Sequence, residues 1–71
     1  MSMRFNIPAE EAEPEAVVAV LLDDEVFTDV TWHTHSEIGV LVDVICDDAL
    51  NDRATKIVRQ LAPGAVGQVL T

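Results

Sequence analysis

Hydrophobic and polar residues alternate with two different periods along this chain, and each change of period marks an element. Met3, Phe5 and Ile7 alternate with Arg4 and Asn6, the period of two expected of a half-buried strand; Pro8 ends it. Val17, Val18, Leu21 and Leu22 then fall at helical spacing. Acids crowd the front of this segment, where they favour the positive end of a helix dipole, and Pro14 suits the first helical position with Glu13 at the cap. The spacing predicts a helix from about Pro14 to Asp24. The same stretch, "AVVAVLL", holds three valines in four residues, and β-branching restricts χ1 in a helix. As a strand it would turn the fold into a β-meander with one helix.

Phe27 to His35 alternates again and is rich in β-formers, so it reads as a strand. Val40 to Cys46 is apolar on both faces apart from Asp43, which predicts a central strand. Leu50, Ala54, Ile57, Val58 and Leu61 form the clearest helical stripe, capped by Asp47 or Asp48 and stopped by Pro63-Gly64. Arg53, Lys56 and Arg59 repeat every three residues on its other side. Ala65 to Thr71 reads as a short last strand.

The order β-α-β-β-α-β in 71 residues is the ferredoxin-like, split-βαβ pattern. It predicts a single α+β domain: a four-stranded antiparallel sheet, first and third strands central, two helices on one face. Parity sets the hairpin. With a three-residue loop Glu37-Ile38-Gly39 and a positive φ at Gly39, Ser36 faces Val40, Thr34 faces Val42, Trp32 faces Val44 and Val30 faces Cys46. That set is apolar and belongs to the core. The other face then pairs His35 with Leu41, His33 with Asp43, Thr31 with Ile45 and Asp29 with Asp47. An even loop would exchange the faces.

Charge changes the picture most. The chain has 13 acids against 4 bases, a net of −9. Every acid lies at or before Asp52, where only Arg4 opposes them, so residues 1–52 carry −12 and residues 53–71 carry +3. The first three-quarters should project a strong negative field. No apolar run exceeds the seven residues Ala16 to Leu22, far short of the ~18 that span a bilayer. With no apparent signal peptide and a lone cysteine, Cys46, read as a small buried apolar residue, a reducing cytoplasm is expected.

Candidate chemistry is sparse. His33, His35 and Asp43 share a face, with the two imidazoles about 7 Å apart by strand rise. This trio is the basis for a minor metal-binding role. A metal site needs a third or fourth convergent ligand, and the plainer reading is a cross-strand His–Asp contact on a solvated face. No metal or cofactor is assigned, and no activated nucleophile is evident, so no enzymatic activity is expected. Amino-acid-binding ACT domains share the element order but usually carry a glycine-bearing first turn; here that turn is "IPAEEAEPE". Metal chaperones of this topology carry CxxC, which is absent. RNA-recognition domains need exposed aromatics and a basic surface, whereas Phe5 and Trp32 are placed in the core by parity and the net charge repels phosphate.

The acids themselves are the strongest lead. Glu10, Glu11, Glu13 and Glu15 form one cluster and Asp23, Asp24 and Glu25 another. Asp29, Asp43 and Asp47 face outward on the predicted sheet, and Asp48 and Asp52 mark the start of the second helix. The generic account is solubility or halophilic adaptation, with Lys56 the only lysine. In size, charge and lack of a catalytic motif the chain resembles the small acidic inhibitors that phages encode against bacterial immunity, of the anti-CRISPR and anti-restriction type. The resemblance implies a mimic of nucleic-acid phosphates that blocks a basic DNA-binding protein or complex. With the net charge repelling phosphate and no apolar run of membrane length, no direct contact with nucleic acid or membrane is expected. The acids of these clusters (Glu10, Glu11, Glu13, Glu15, Asp23, Asp24, Glu25, Asp29, Asp43 and Asp47) are the candidate partner-binding set. The chain is expected to be a monomer or weak homodimer; a competing expectation is a regulatory or structural module that self-associates through the open sheet face by way of Leu41 and Ile45.

Overall fold

A computed structural model describes residues 2–35, 37 and 39–70 of the chain. Strand β1 (Ser2–Ile7) leads to helix α1 (Pro14–Asp23), then strands β2 (Val30–His35) and β3 (Gly39–Ile45). A 3₁₀ turn, Asp48–Leu50, runs directly into α2 (Asn51–Leu61), and β4 (Val66–Leu70) closes the described chain. The four strands form one antiparallel sheet in the order β2-β3-β1-β4. This is the ferredoxin-like α+β fold, with β1 and β3 central.

The "AVVAVLL" stretch is helical, so the meander is excluded. Pro14 occupies the first turn after an extended Glu13, where its fixed φ costs nothing. Val17 and Leu21, one turn apart, are buried against the sheet. Tertiary burial outweighs the weak helix propensity of the valines. Leu22, placed in the same stripe by spacing, is 47% exposed at its edge. In α2, Ala54 and Val58 are buried while Leu50, Ile57 and Leu61 pack partly against the core, as the periodicity predicts.

Both helices cover one sheet face. Val17 and Leu21 from α1, with Ala54 and Val58 from α2, join Met3, Phe5, Ile7, Val42 and Val44 in a single cluster. Phe27, predicted as the first residue of β2, lies instead in the preceding loop. There it is 1% exposed, and its N–H donates to the Asp24 carbonyl at 3.0 Å. Gly67 sits opposite Phe5 in the β1–β4 register. A Cβ at Gly67 would meet Phe5 Cε1 at 2.8 Å and Met3 Cε at 3.2 Å, so glycine makes room for the ring. Gly67→Ala is expected to lower unfolding free energy by about 1–3 kcal/mol through overpacking, measured by urea titration.

The hairpin differs from its predicted register by two residues. Thr31 pairs with Asp43, Trp32 with Val42, His33 with Leu41, Thr34 with Val40 and His35 with Gly39. The reason is Gly39: with φ 105° it opens β3 opposite His35 rather than closing the loop. The predicted Ser36–Val40 pair is replaced at Val40, and Ser36 and Ile38 lie outside the described residues. Because the shift is even, the paired side chains of Val30–His35 and Val40–Val44 keep their predicted faces. Trp32 is on the helix side but 40% exposed, since β2 is an edge strand and the ring is not among the residues packed on the core. The predicted Asp29–Asp47 and Val30–Cys46 pairs do not form; the ladder ends at Val30–Val44. Asp47 occupies the cap of the 3₁₀ turn without a side-chain bond, and only its carbonyl accepts, from Leu50 N–H at 2.9 Å.

Candidate acidic binding surface

The antiparallel order sorts the acids to the two ends of the sheet. At one end the β1–α1 loop brings Glu10, Glu11 and Glu13, close to the turn before β4. The Glu11 carboxylate ties these loops, accepting the Gly64 N–H with both oxygens at 2.9 Å. At the other end α1 finishes, β2 begins, and β3 gives way to α2. The Arg53 Nε donates to Asp24 Oδ2 at 2.7 Å, and the Ile45 N–H donates to the Asp29 carbonyl at 3.0 Å. Asp23, Asp24, Glu25, Asp29, Asp47, Asp48 and Asp52 therefore gather at one end, from segments well separated in sequence. Asp48 and Asp52 were not in the predicted set; their place at the start of the second helix signalled a capping role rather than a shared surface.

Three predicted partner-binding acids are engaged inside the fold. Glu11 holds Gly64. Asp24 holds Arg53 and also lies 3.4 Å from the Val26 N–H. Asp43 accepts from Arg4 Nε at 2.8 Å and from its terminal nitrogen at 3.0 Å. Glu10, Glu13, Glu15, Asp23, Glu25, Asp29 and Asp47 are exposed and make no side-chain ion pair among the described residues.

Placement relative to the helix dipole separates these acids. Glu15 lies in the first turn of α1, where a negative charge is favoured. Asp23 ends the helix, Asp24 caps it and Glu25 follows, with no base in the last turn of the helix itself. Carboxylates here face the negative end of the dipole and oppose local stability. Arg53, from α2, offsets Asp24.

The sheet face away from the helices can be followed row by row through the registers. Ile45, Ser2 and Leu70 lie across one row. Thr31, Asp43, Arg4 and Gln68 form the next, and His33, Leu41, Asn6 and Val66 the third. Leu41 was expected to be an available apolar contact, but it is only 5% exposed. It floors a shallow groove of about 440 Å³ with Arg4, Asn6, Val66 and Gln68 around it. Ile45 and Val66 are the exposed apolar groups, at 56% and 64%.

His33 does not oppose Asp43 directly; its Nδ1 stands diagonally across, 4.0 Å from Asp43 Oδ2. His35 turns to its own loop, its Nδ1 accepting the Glu37 N–H at 3.2 Å. Arg4, by sequence a polar position of the first strand, takes both Asp43 oxygens. No group of three or more His, Cys, Asp and Glu side chains converges as a metal site among the described residues. Cys46 is half-buried against the core with its thiol 3.8 Å from Asn51 Oδ1. Burial pushes the thiol pKa up, and Asp47 and Asp48 add to the effect, so the thiol is held in its less nucleophilic protonated form.

The hydrogen bond from Arg4 is the largest cause holding the Asp43 carboxyl below its usual range. Burial acts the other way, and the charges of Arg4 and His33 lower it further. A depressed carboxyl pKa gives stability that is fully present above the unfolded value, about 3.9. That stability is lost as pH falls through the lower folded value. Asp43→Asn is expected to lower the thermal midpoint at pH 7, with the difference from the parent shrinking below about pH 4. A pH series of melting curves checks this; a constant difference down to strong acid would refute the linkage.

The fold thus defines the class: a small ferredoxin-like α+β domain with an acidic end and a groove on its open sheet face. In comparisons with protein-family models, curated proteins and solved structures, the chain matches none. No described helix is long and apolar enough to cross a membrane.

Proposed function

We propose that the protein is a non-enzymatic inhibitor that binds a basic nucleic-acid-binding protein of a bacterial defence complex, presenting carboxylates where nucleic-acid phosphates would lie. The observation that carries this reading is the acidic end assembled from α1, the β2 entry and the β3–α2 connection. Solubility is served by acids anywhere on the surface. It gives no reason to set Asp23 and Glu25 at the negative end of a helix dipole, where they work against the fold. Surfaces that oppose local stability are a mark of selection for something else.

A field of this sign speeds encounter with a basic groove and makes the complex salt-sensitive. Sequence-specific recognition of DNA is left to the target, which the inhibitor occupies in a cytoplasmic setting. The test is capture on the immobilised protein, with the bound species identified and challenged. The expected partner is basic and binds nucleic acid. It is released by added duplex DNA, and its affinity falls steadily as salt rises. Retention in about 1 M salt, where the Debye length is near 3 Å, or indifference to duplex DNA removes the mimic reading.

A further inference from the structure

Two copies of a chain with net charge −9 repel over most of their surface, and the strands show where that repulsion is weakest. Among the described residues Asp43 is the only acid within a strand, and Arg4 neutralises it through two hydrogen bonds. The open sheet face is therefore charge-balanced between two acidic ends. It also carries Ile45 and Val66, the two most exposed large apolar side chains among the described residues. We propose that a second copy of this chain covers the open sheet face, forming a twofold dimer.

The Arg4–Asp43 pair supplies the complementarity. The two residues are directly opposed on neighbouring central strands. A twofold axis running along the strands, between β1 and β3, sets Arg4 of one copy over Asp43 of the other. It repeats the match with the roles exchanged, as an isologous contact requires. Four alternating charges then meet at the centre. The same operation lays β2 over the other copy's β4, bringing Val66 and His33 together and closing both grooves. Face-to-face sheets packed in this way lie about 10 Å apart. The molecule extends 29 × 24 × 17 Å, so even its broadest projection, roughly 700 Å², stays below the ~800 Å² per partner of a standard stable interface, and the contact belongs to the small, weak class.

The axis also brings the two acidic ends side by side, which fixes the salt dependence. Salt screens their repulsion more than it screens the buried pairs, so the dimer strengthens as salt rises. That sign is opposite to the one expected for the inhibitor–target complex, and the two ideas stand or fall separately.

Sedimentation equilibrium on the tag-free chain tests the proposal at low and high salt. The expected species has twice the 7.7 kDa chain mass, and its dissociation constant falls with salt. Ile45→Glu with Val66→Glu alters two exposed positions and leaves the core untouched. It is expected to weaken the dimer at least tenfold with an unchanged circular dichroism spectrum. Should this variant lose its fold, Val66→Ser, which adds no charge, replaces it and is expected to weaken the dimer measurably. Trp32→Ser, on the opposite face, should leave the dimer intact. The proposal is overturned by a wild-type monomer at millimolar concentration in high salt. It is equally overturned by a dimer that tolerates a folded open-face variant, or one that Trp32→Ser dissociates.

Discussion

Phe5→Ala is expected to leave the domain barely folded at 25 °C. Phe5 lies on a central strand, 1% exposed, between Val42 on β3 and Gly67 on β4. Removing a buried phenylalanine costs about 3–5 kcal/mol, the lost transfer energy plus the cavity left behind. Gly67 has no side chain to relax into that cavity. A chain of 71 residues has a total stability of only about 4–11 kcal/mol at ordinary per-residue values. The thermal midpoint should fall by roughly 12–40 °C, the range set by domains of this size. Melting curves followed by circular dichroism measure this. A loss under about 1 kcal/mol would mean that Phe5 is not the centre of the core.

The second large effect is expected at the acidic end and has two signs. Asp23→Lys replaces a carboxylate at the negative end of α1 with a favourable cation. It should raise unfolding free energy by about 0.5–1 kcal/mol. Combined with Glu25→Lys and Asp47→Lys, it should slow association with the basic partner by roughly 10- to 1000-fold, the range over which electrostatic steering acts. A variant that is more stable yet binds worse separates recognition from folding. Asp24 is unsuited to this test, because its reversal breaks the bond to Arg53 and confounds the two readouts. Glu10→Lys, Glu13→Lys and Glu15→Lys, three reversals at the other end of the sheet, form the charge-matched control. If stopped-flow association rates are equal for both sets of variants, the acidic end has no privileged role and net charge alone is responsible.

The sequence legibly gave the element types where one period dominated. The stripe of α2 and the alternation of β1 needed no tertiary information, since each follows from local geometry. The faces of the hairpin were also legible, because parity survives an even shift in register. The shift itself was not, since whether Gly39 turns the chain or opens a strand depends on how β3 seats beside β1. The core position of Trp32 failed for a related reason: parity names a side of the sheet but says nothing of how far the helices extend across it.

The candidate site divides in the same way. Sequence alone determined that the protein is strongly acidic, that every acid lies at or before Asp52, and where most of the strands and the second helix fall. Those properties are sums and periodicities along the chain. Only the tertiary structure decided which acids act together. It joined the acids around residues 23–29 to those around 47–52, because the sheet places the end of α1, the entry to β2 and the exit from β3 at one end. It also withdrew Glu11, Asp24 and Asp43 into internal bonds, with partners 53, 29 and 39 residues away in the chain. Pairings at such separations have no local signature; they exist because the fold closes those distances.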